Sequence, residues 1–587
     1  MLQRRSSLLT RVVTLLMASL LLLAGCTPAP SAPAAPGGPS AGPAAGAVVP
    51  GAPVVGGRLI VGAISDAKVL NPVLSSDVPS AEVWSRVYES LIRVDPESGQ
   101  PQPRLAERFE VAPDGTQLTF TLKPGVVWSD GTAFSGDDFK MTAEAVMRSK
   151  KSVRKNLFQD IVGARAYAEG KATEIAGITV DGNVLTIKLE KPFCPALTEL
   201  GLFGIIPRHV FGKYLDPADA TKNIDEAPEN NAPVVGTGPF VFSEWLQNDR
   251  IVLKKNARFS FGGPYLDEWV YKVHPDATAM AAALKTGEID AARVDPKAMD
   301  DLKQQDNLAF FSYLSPGYTY IGWNQLRGGK EFLQNRTIRQ ALAYGLDTQA
   351  VIDSVLLGQG QKVYAHTPPV SWAYDPSSLQ EYPYDPAKAR EMIEAEGYTA
   401  GADGIYQKDG QRLALTMMTN SGNKTREALL QVATEQYRQI GVEVTPLTES
   451  FEALSDRVGK GRDATYGEQG GRDYDAVILG WGMGVDPDAY GTWHSSQVKS
   501  GQNQTGYQNA EVDKALETGR TSCGQAERMA AYKTFNQKLS EDQPYNFGFA
   551  AKTLLFVNKK FQNVQPGPFP NVQNSYLWNV EQWWIKS

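Results

Sequence analysis

A mixed α/β fold spread over more than one domain is predicted by three observations. Segments with strand-type alternation take turns with segments of helical periodicity, no fixed-period repeat is present, and 587 residues suffice for two or more cores. At 42% hydrophobic and 21% charged residues the composition is ordinary for globular proteins, so each domain can bury a substantial core.

The chain opens on an export signal. Arg4, Arg5 and Arg11 flank the start of a Val/Leu-rich run of about ten residues, which ends in Leu22-Leu23-Ala24-Gly25-Cys26. That core is too short to span a bilayer as a stable helix. The segment resembles a bacterial lipobox, which implies cleavage after residue 25, diacylation of Cys26 and an extracytoplasmic body held on the membrane by its N-terminal lipid. An ordinary secreted protein that keeps a cysteine here is the alternative. Gln3-Arg4-Arg5 resembles a twin-arginine signal, but Ser6 and Ser7 stand where that motif wants hydrophobic residues. Removing residues 1–25 from the 587 leaves 562, and the loss of three arginines takes the net charge from −7 to −10. An acidic chain without a basic, aromatic-interleaved cluster has no footprint for nucleic acid. No second apolar run reaches the ~18 residues of a membrane span.

Residues 26–57 read as a tether. They are almost wholly Ala, Pro, Gly, Ser and Val, which cannot bury enough apolar surface to offset ordering, and at ~3 Å per residue they hold the body several nanometres from the bilayer. Gly57–Gly62 reads as the first strand, followed by a loop with Pro72 and Pro79 and an amphipathic helix over Ala81–Ile92. Leu118–Leu122 alternates apolar with polar, Pro124-Gly125 breaks it, and Trp128–Thr132 is a strand and turn. Asp137 or Asp138 is the expected N-cap of a helix over Phe139–Met147. Further strands (Ile178–Leu189, Ile251–Lys255, Leu413–Thr419, Asp475–Leu479) alternate with helices (Thr278–Lys285, Thr337–Gly345, Pro386–Glu396, Thr425–Ile440).

The run from Leu105 to Asp138, with Pro113-Asp114-Gly115-Thr116 and Trp128-Ser129-Asp130-Gly131-Thr132, resembles the signature of extracytoplasmic solute-binding proteins of the peptide/nickel ABC importer family (family 5). Ile206–Val210, Gly236–Phe240, Leu284–Asp290, Ile338–Leu342 and Tyr384-Asp385-Pro386 with Ala389 follow in that family's order. Each piece alone is turn or loop chemistry available to any fold. Together they cover about residue 58 to the C-terminus.

This resemblance implies a periplasmic-binding-protein-like two-lobed fold with an inserted domain and a hinged ligand cleft. The first lobe would take residues 58–100, 232–318 and 548–587, the inserted domain 101–231, and the second lobe 319–547. The hinge crossings then fall near Ser315–Tyr318 and Gln543-Pro544-Tyr545, and closure around a ligand is the expected motion. Besides Cys26 there are Cys194 and Cys523, placed by this division in different domains, so two buried free thiols are expected rather than one long-range disulfide. His209, His274, His366 and His494 show no metal-ligand spacing, and neither a metal nor another cofactor is expected.

The resemblance also implies that two loops face the ligand: Ser75–Pro79, with Ser76, Asp77 and Val78, and Gly480–Pro487, with Gly480, Trp481, Gly482, Met483 and Asp486. Peptide binders of the family resemble one another in placing an aspartate between that tryptophan and the acid-Pro pair, on the ligand's amino group. Gly482–Val485 carry no charge, so this anchor is absent or displaced to Asp486 or Asp77. Tyr318, Tyr320, Phe451, Trp372, Tyr490 and Trp493, with Tyr545 and Asn546 at the second crossing, are the expected aromatic and polar lining, which suits sugar stacking, apolar peptide side chains or cations. Arg457, Lys460 and Arg462 form a polar stretch able to meet a carboxylate.

No G-x-S-x-G elbow, H-E-x-x-H, Walker loop or cysteine nucleophile with a partner histidine is present. Asp137-Asp138 and Asp300-Asp301 are adjacent and do not face one another on a helix. An enzyme is therefore not expected. The expected function is a monomeric lipoprotein that captures di- or oligopeptides and delivers them to ABC permease subunits, with an oligosaccharide binder, or a peptide sensor or chaperone, as the alternatives and a nickel chelate behind them.

Overall fold

The computed structural model describes residues 53–587 apart from 97, 216–222, 234, 460–471, 568–574 and 587. The leader, Cys26, most of the tether, Lys460 and Arg462 lie outside the described residues.

Among the described residues, twelve strands form one sheet: β1 (Arg58–Ala63), β2 (Phe240–Leu246), β3 (Arg250–Lys255), β4 (Glu268–Val273), β5 (Ala291–Arg293), β6 (Leu308–Leu314), β7 (Gly317–Trp323), β8 (Gly360–Lys362), β9 (Ala414–Asn420), β10 (Glu443–Glu449), β11 (Ala476–Gly482) and β12 (Tyr545–Asn558). Their order is β10-β9-β11-β7-β12-β5-β1-β4-β3-β2, with β6 and β8 also pairing β12. β1 runs parallel to β4 and β5, and β9 parallel to β10 and β11. Such strands need crossovers, which the intervening helices supply.

The sheet is continuous but its cores are not. β12 pairs with β7 and β8 over Tyr545–Ala551 and with β6 and β5 over Lys552–Asn558. Leu554–Val557 bury into apolar clusters built from residues 59–311 and 554–585, whereas Tyr545, Phe547, Phe549 and Ala550 bury into clusters built from residues 314–551. One strand thus spans two separately packed bodies, and among the described residues it and the Ser315-Pro316 connection between β6 and β7 join the two halves of the sheet along the chain.

A four-stranded antiparallel sheet (Ala106–Val111, Gln117–Leu122, Ile178–Asp181, Val184–Lys188) forms a separate layer, so Ile178–Leu189 is a hairpin and not the single strand expected. The helices that matter below are α1 (Val78–Trp84), α2 (Gly136–Arg148), α3 (Ala196–Gly201), α4 (Arg336–Tyr344), α5 (Lys424–Gln439), α6 (Ala510–Thr521) and α7 (Gln525–Asp542). α1 begins at Val78 and stops at Trp84, earlier than the expected Ala81–Ile92 helix. Residues 86 and 87 turn away because their carbonyls accept from Phe240 and Gly238 at 3.1 and 2.8 Å, and Ile92 is already strand. The α2 cap is Ser135 and not Asp137 or Asp138. Asp138 sits at the third helical position and accepts from the Ser135 N–H at 2.9 Å, a capping box.

The expectation of free thiols is overturned: Cys194 and Cys523 form a disulfide with Cα atoms 5.2 Å apart. The turn between α6 and α7 lies against the segment before α3, where the Cys194 N–H donates to Arg520 O at 2.8 Å and Arg520 covers the Phe193 ring. Assignment to different domains kept the two apart in sequence terms, but here the bodies touch. Gly115, at φ +67°, fills the remaining space, and a Cβ there would lie 3.1 Å from Cys523 Sγ.

Candidate functional site

α1, α3 and the chain beyond β11 come together around one cavity. Asp77 caps α1 by accepting from the Ser80 N–H and hydroxyl, both at 2.9 Å, and this helix carries Trp84 to the cavity. α3 buries Ala196, Leu200 and Gly201, which leaves Thr198 and Glu199 to line the cavity. From the other side, β11 ends at Gly482, the Met483 N–H donates to Pro316 O at 2.7 Å, and Gly484-Val485-Asp486 complete the wall. The enclosed space is about 680 Å³ including its open mouth, mostly apolar, with Leu157, Leu202 and Phe203 beside Trp84. A second space of about 790 Å³ shares Thr198, Val485 and Asp486 and runs on to Trp372, Arg528 and the Cys194–Cys523 bridge.

Six charged side chains govern the electrostatics here. Asp486 accepts from Arg528 at 2.6 Å, both side chains being buried, and Arg528 also donates to Gly519 O. Asp488 accepts from Arg520 at 3.0 Å, while burial raises its pKa. Arg154 donates to Ser75 O at 3.2 Å, and burial lowers its pKa. Glu199 has no hydrogen bond or ion pair to its carboxylate among the described residues. Burial, then repulsion from Asp486 and Asp488, pushes its pKa up to about 7 against the pull of Arg154 and Arg520.

The residues expected from sequence are scattered over several environments. Ser76 and Val78 are exposed and Asp77 is the α1 cap. Tyr318, Tyr320, Trp493, Tyr545 and Asn546 are buried: the Tyr320 and Tyr545 rings stack at 3.9 Å, Trp493 packs on Tyr545 at 4.5 Å, and the half-buried Trp481 donates to the Tyr545 hydroxyl at 3.3 Å. They form an aromatic core beneath the β7–β11 surface, with the Asn546 amide donating to the Tyr437 hydroxyl of α5. Gly480 and Met483 are half-buried and Gly482 exposed. Phe451 is exposed, and Arg457, beside the edge strand β10, is engaged by Glu449 and Asp473 at 2.8 and 2.7 Å. Of the expected loop Gly480–Pro487, Gly484, Val485 and Asp486 line the cavity, Arg528 already neutralises Asp486, and the expected Trp372 lines the adjoining space. Sequence reasoning missed Trp84, Arg154, Glu199, Phe203 and Arg528, whose spacing carries no signal because they come from segments far apart in the chain.

Among the described residues no cluster of three or more His, Cys, Asp or Glu is placed to hold a metal, and no helix is long and apolar enough to cross a membrane. The carboxylates around the cavity are occupied by arginines or stand alone, so what this arrangement can do is enclose a solute between two bodies joined by a strand. The protein is thus of the solute-binding class.

Residues 100–503 match the bacterial extracellular solute-binding proteins, family 5 (middle region), and the chain belongs to that family. It is 30% identical over 539 residues to the oligopeptide-binding protein AppA of Bacillus subtilis, covering 91% of this chain and 93% of AppA. The structure of AppA in complex with a nonapeptide superposes with a TM-score of 0.74 over 91% of this chain and all of AppA, at 29% identity. NikZ of Campylobacter jejuni in complex with Ni(L-His) gives 0.74 over 90% of this chain and 99% of NikZ, at 26% identity. The protein is a two-lobed binding protein of the ABC-importer type, not an enzyme, and it works outside the cytoplasm.

Proposed function

We propose that this protein captures peptides and delivers them to ABC permease subunits, from a lipid anchor on Cys26 and as a monomer. One observation carries the reading: an apolar cavity with unneutralised charge lies between the two bodies of a chain that matches an oligopeptide-binding protein over nearly its whole length. Residues 58–100, 232–314 and 552–587 would form the first lobe, 101–231 the inserted domain and 317–551 the second lobe; the expected boundaries at 318/319 and 547/548 shift because Tyr318, Phe549 and Ala550 bury into the second body. Ser315-Pro316 and the point near Ala551 where β12 changes partners would be the hinge; Gln543-Pro544-Tyr545, expected as the second crossing, pairs and packs within the second body. An extended peptide would be held largely through its backbone, which tolerates varied side chains.

A thermal-shift series with the purified protein tests this against dipeptides, longer peptide pools, oligosaccharides and nickel–histidine complexes. A ligand that binds only the folded state raises the melting temperature with its concentration. Stabilisation by peptides supports the reading. Stabilisation by sugars or nickel–histidine alone overturns it. Metabolic labelling with a palmitate analogue, lost in Cys26→Ala, tests the anchor.

A further inference from the structure

A free amino terminus is an ammonium group that a carboxylate can meet, and the loop after Trp481 offers Asp486 and Asp488, which Arg528 and Arg520 take up at 2.6 and 3.0 Å. Counting the charges around the cavity leaves a different candidate. Asp486–Arg528 and Asp488–Arg520 cancel as close pairs. Arg154, the remaining cation, attracts Glu199 across space but, tied to the Ser75 carbonyl at 3.2 Å, makes no ion pair with it. Glu199 remains, half-buried, lining the cavity on α3 and without a hydrogen-bond or ion-pair partner for its carboxylate among the described residues. A carboxylate withdrawn from water into an apolar enclosure and left unpaired is costly, and a cationic ligand group removes that cost on binding.

Building on the peptide reading above, we propose that the cavity receives the amino-terminal residue of a peptide, with the Glu199 carboxylate on its ammonium group and the wall of Trp84, Leu157 and Phe203 around its side chain. The anchor comes from α3, across the cavity from the Gly484–Asp486 loop. Enclosure of the terminus therefore engages both walls at once, which couples recognition to closure. A bound metal ion fits poorly, since the two neighbouring aspartates are already committed to arginines.

The groups facing Glu199 set the pH dependence. Asp486 and Asp488 repel its charge while Arg154 and Arg520 attract it, and with burial the balance keeps its carboxyl partly protonated near pH 7. Binding of an ammonium group then displaces a proton, and affinity falls as pH drops below about 7.

The test uses the whole protein, a nonapeptide with an amino-terminal phenylalanine, and the same peptide Nα-acetylated, titrated calorimetrically into wild type and Glu199→Gln between pH 5 and 8. Acetylation, or Glu199→Gln, is expected to weaken binding roughly ten- to a hundredfold at pH 8, the cost of losing a charged hydrogen bond. Their effects do not add, and the pH slope disappears in the variant. Ligand-free Glu199→Gln melts no lower than wild type, which separates lost recognition from lost folding. If the free peptide binds wild type and Glu199→Gln equally, the anchor assignment fails and the peptide reading stands. If neither peptide form binds wild type, both fail.

Discussion

Asp486 and Arg528 meet at 2.6 Å with both side chains buried, so the aspartate nearest the expected ligand loop serves the fold before it can serve a ligand. Removing one member leaves the other charged and enclosed. Asp486→Ala should cost about 3–5 kcal/mol of unfolding free energy, and Asp486→Ala combined with Arg528→Met less than the sum of the two single changes. Urea denaturation of wild type and the three variants measures this; additive losses would show that the pair does not interact.

The Gly236-Thr237-Gly238 segment is held against α1's continuation more closely than any side chain permits. A Cβ on Gly236 would lie 2.1 Å from the Val87 carbonyl oxygen, and one on Gly238 2.4 Å from that of Arg86. Gly236→Ala should destabilise by about 2–4 kcal/mol through forced displacement of backbone. Gly125, at φ +76° with open space around it, should accept asparagine at a cost below about 1 kcal/mol. Melting temperatures of the two variants separate crowding from backbone preference.

His366 lies in the aromatic core, where the Trp493 indole N–H donates to its Nδ1 at 2.9 Å and the Tyr318 hydroxyl meets the same atom at 2.7 Å. Burial lowers its pKa to about 3 from an ordinary value of 6.5. Between those two values the unfolded chain binds the proton that the folded one refuses. This contribution to stability is therefore complete above pH 6.5 and is lost as pH falls toward 3, by roughly 4–5 kcal/mol in all. Chemical denaturation across that range should show the slope, and His366→Gln should flatten it.

Cys194→Ser with Cys523→Ser should lower the melting temperature, because the bridge closes a loop with a sequence separation of 329 and so restricts the unfolded chain. An effect of about 3–5 kcal/mol is expected from chain entropy. Differential scanning calorimetry of oxidised and reduced protein gives the same comparison without mutation, and equal melting would refute it.

Much of the fold was legible because local chemistry decided it. The helices expected over Pro386–Glu396 and Thr425–Ile440 start within a residue of where the structure has them, and the alternation of Leu118–Leu122 follows its buried face. Where tertiary contacts decide, the sequence reading went astray. The amphipathic pattern of Ala81–Ile92 continues past Trp84, but the chain there gives up helical bonds to meet Gly238 and Phe240. Ser135 displaced the aspartates as cap because its position, not its charge, is first in line. The candidate site was the least legible part. Tyr318, Tyr320 and Tyr545 have the composition of a ligand wall and are packed against one another instead, while Glu199 and Arg154 become notable only once segments from both bodies close around them.

The Cys194–Cys523 bridge has one more effect. Any single cut between those two cysteines, a stretch that includes most of the second body and the Ser315-Pro316 connection, leaves both fragments covalently joined at the edge of the cavity. A nicked molecule would stay in one piece and keep its two walls facing each other until the sulfur bond itself is broken.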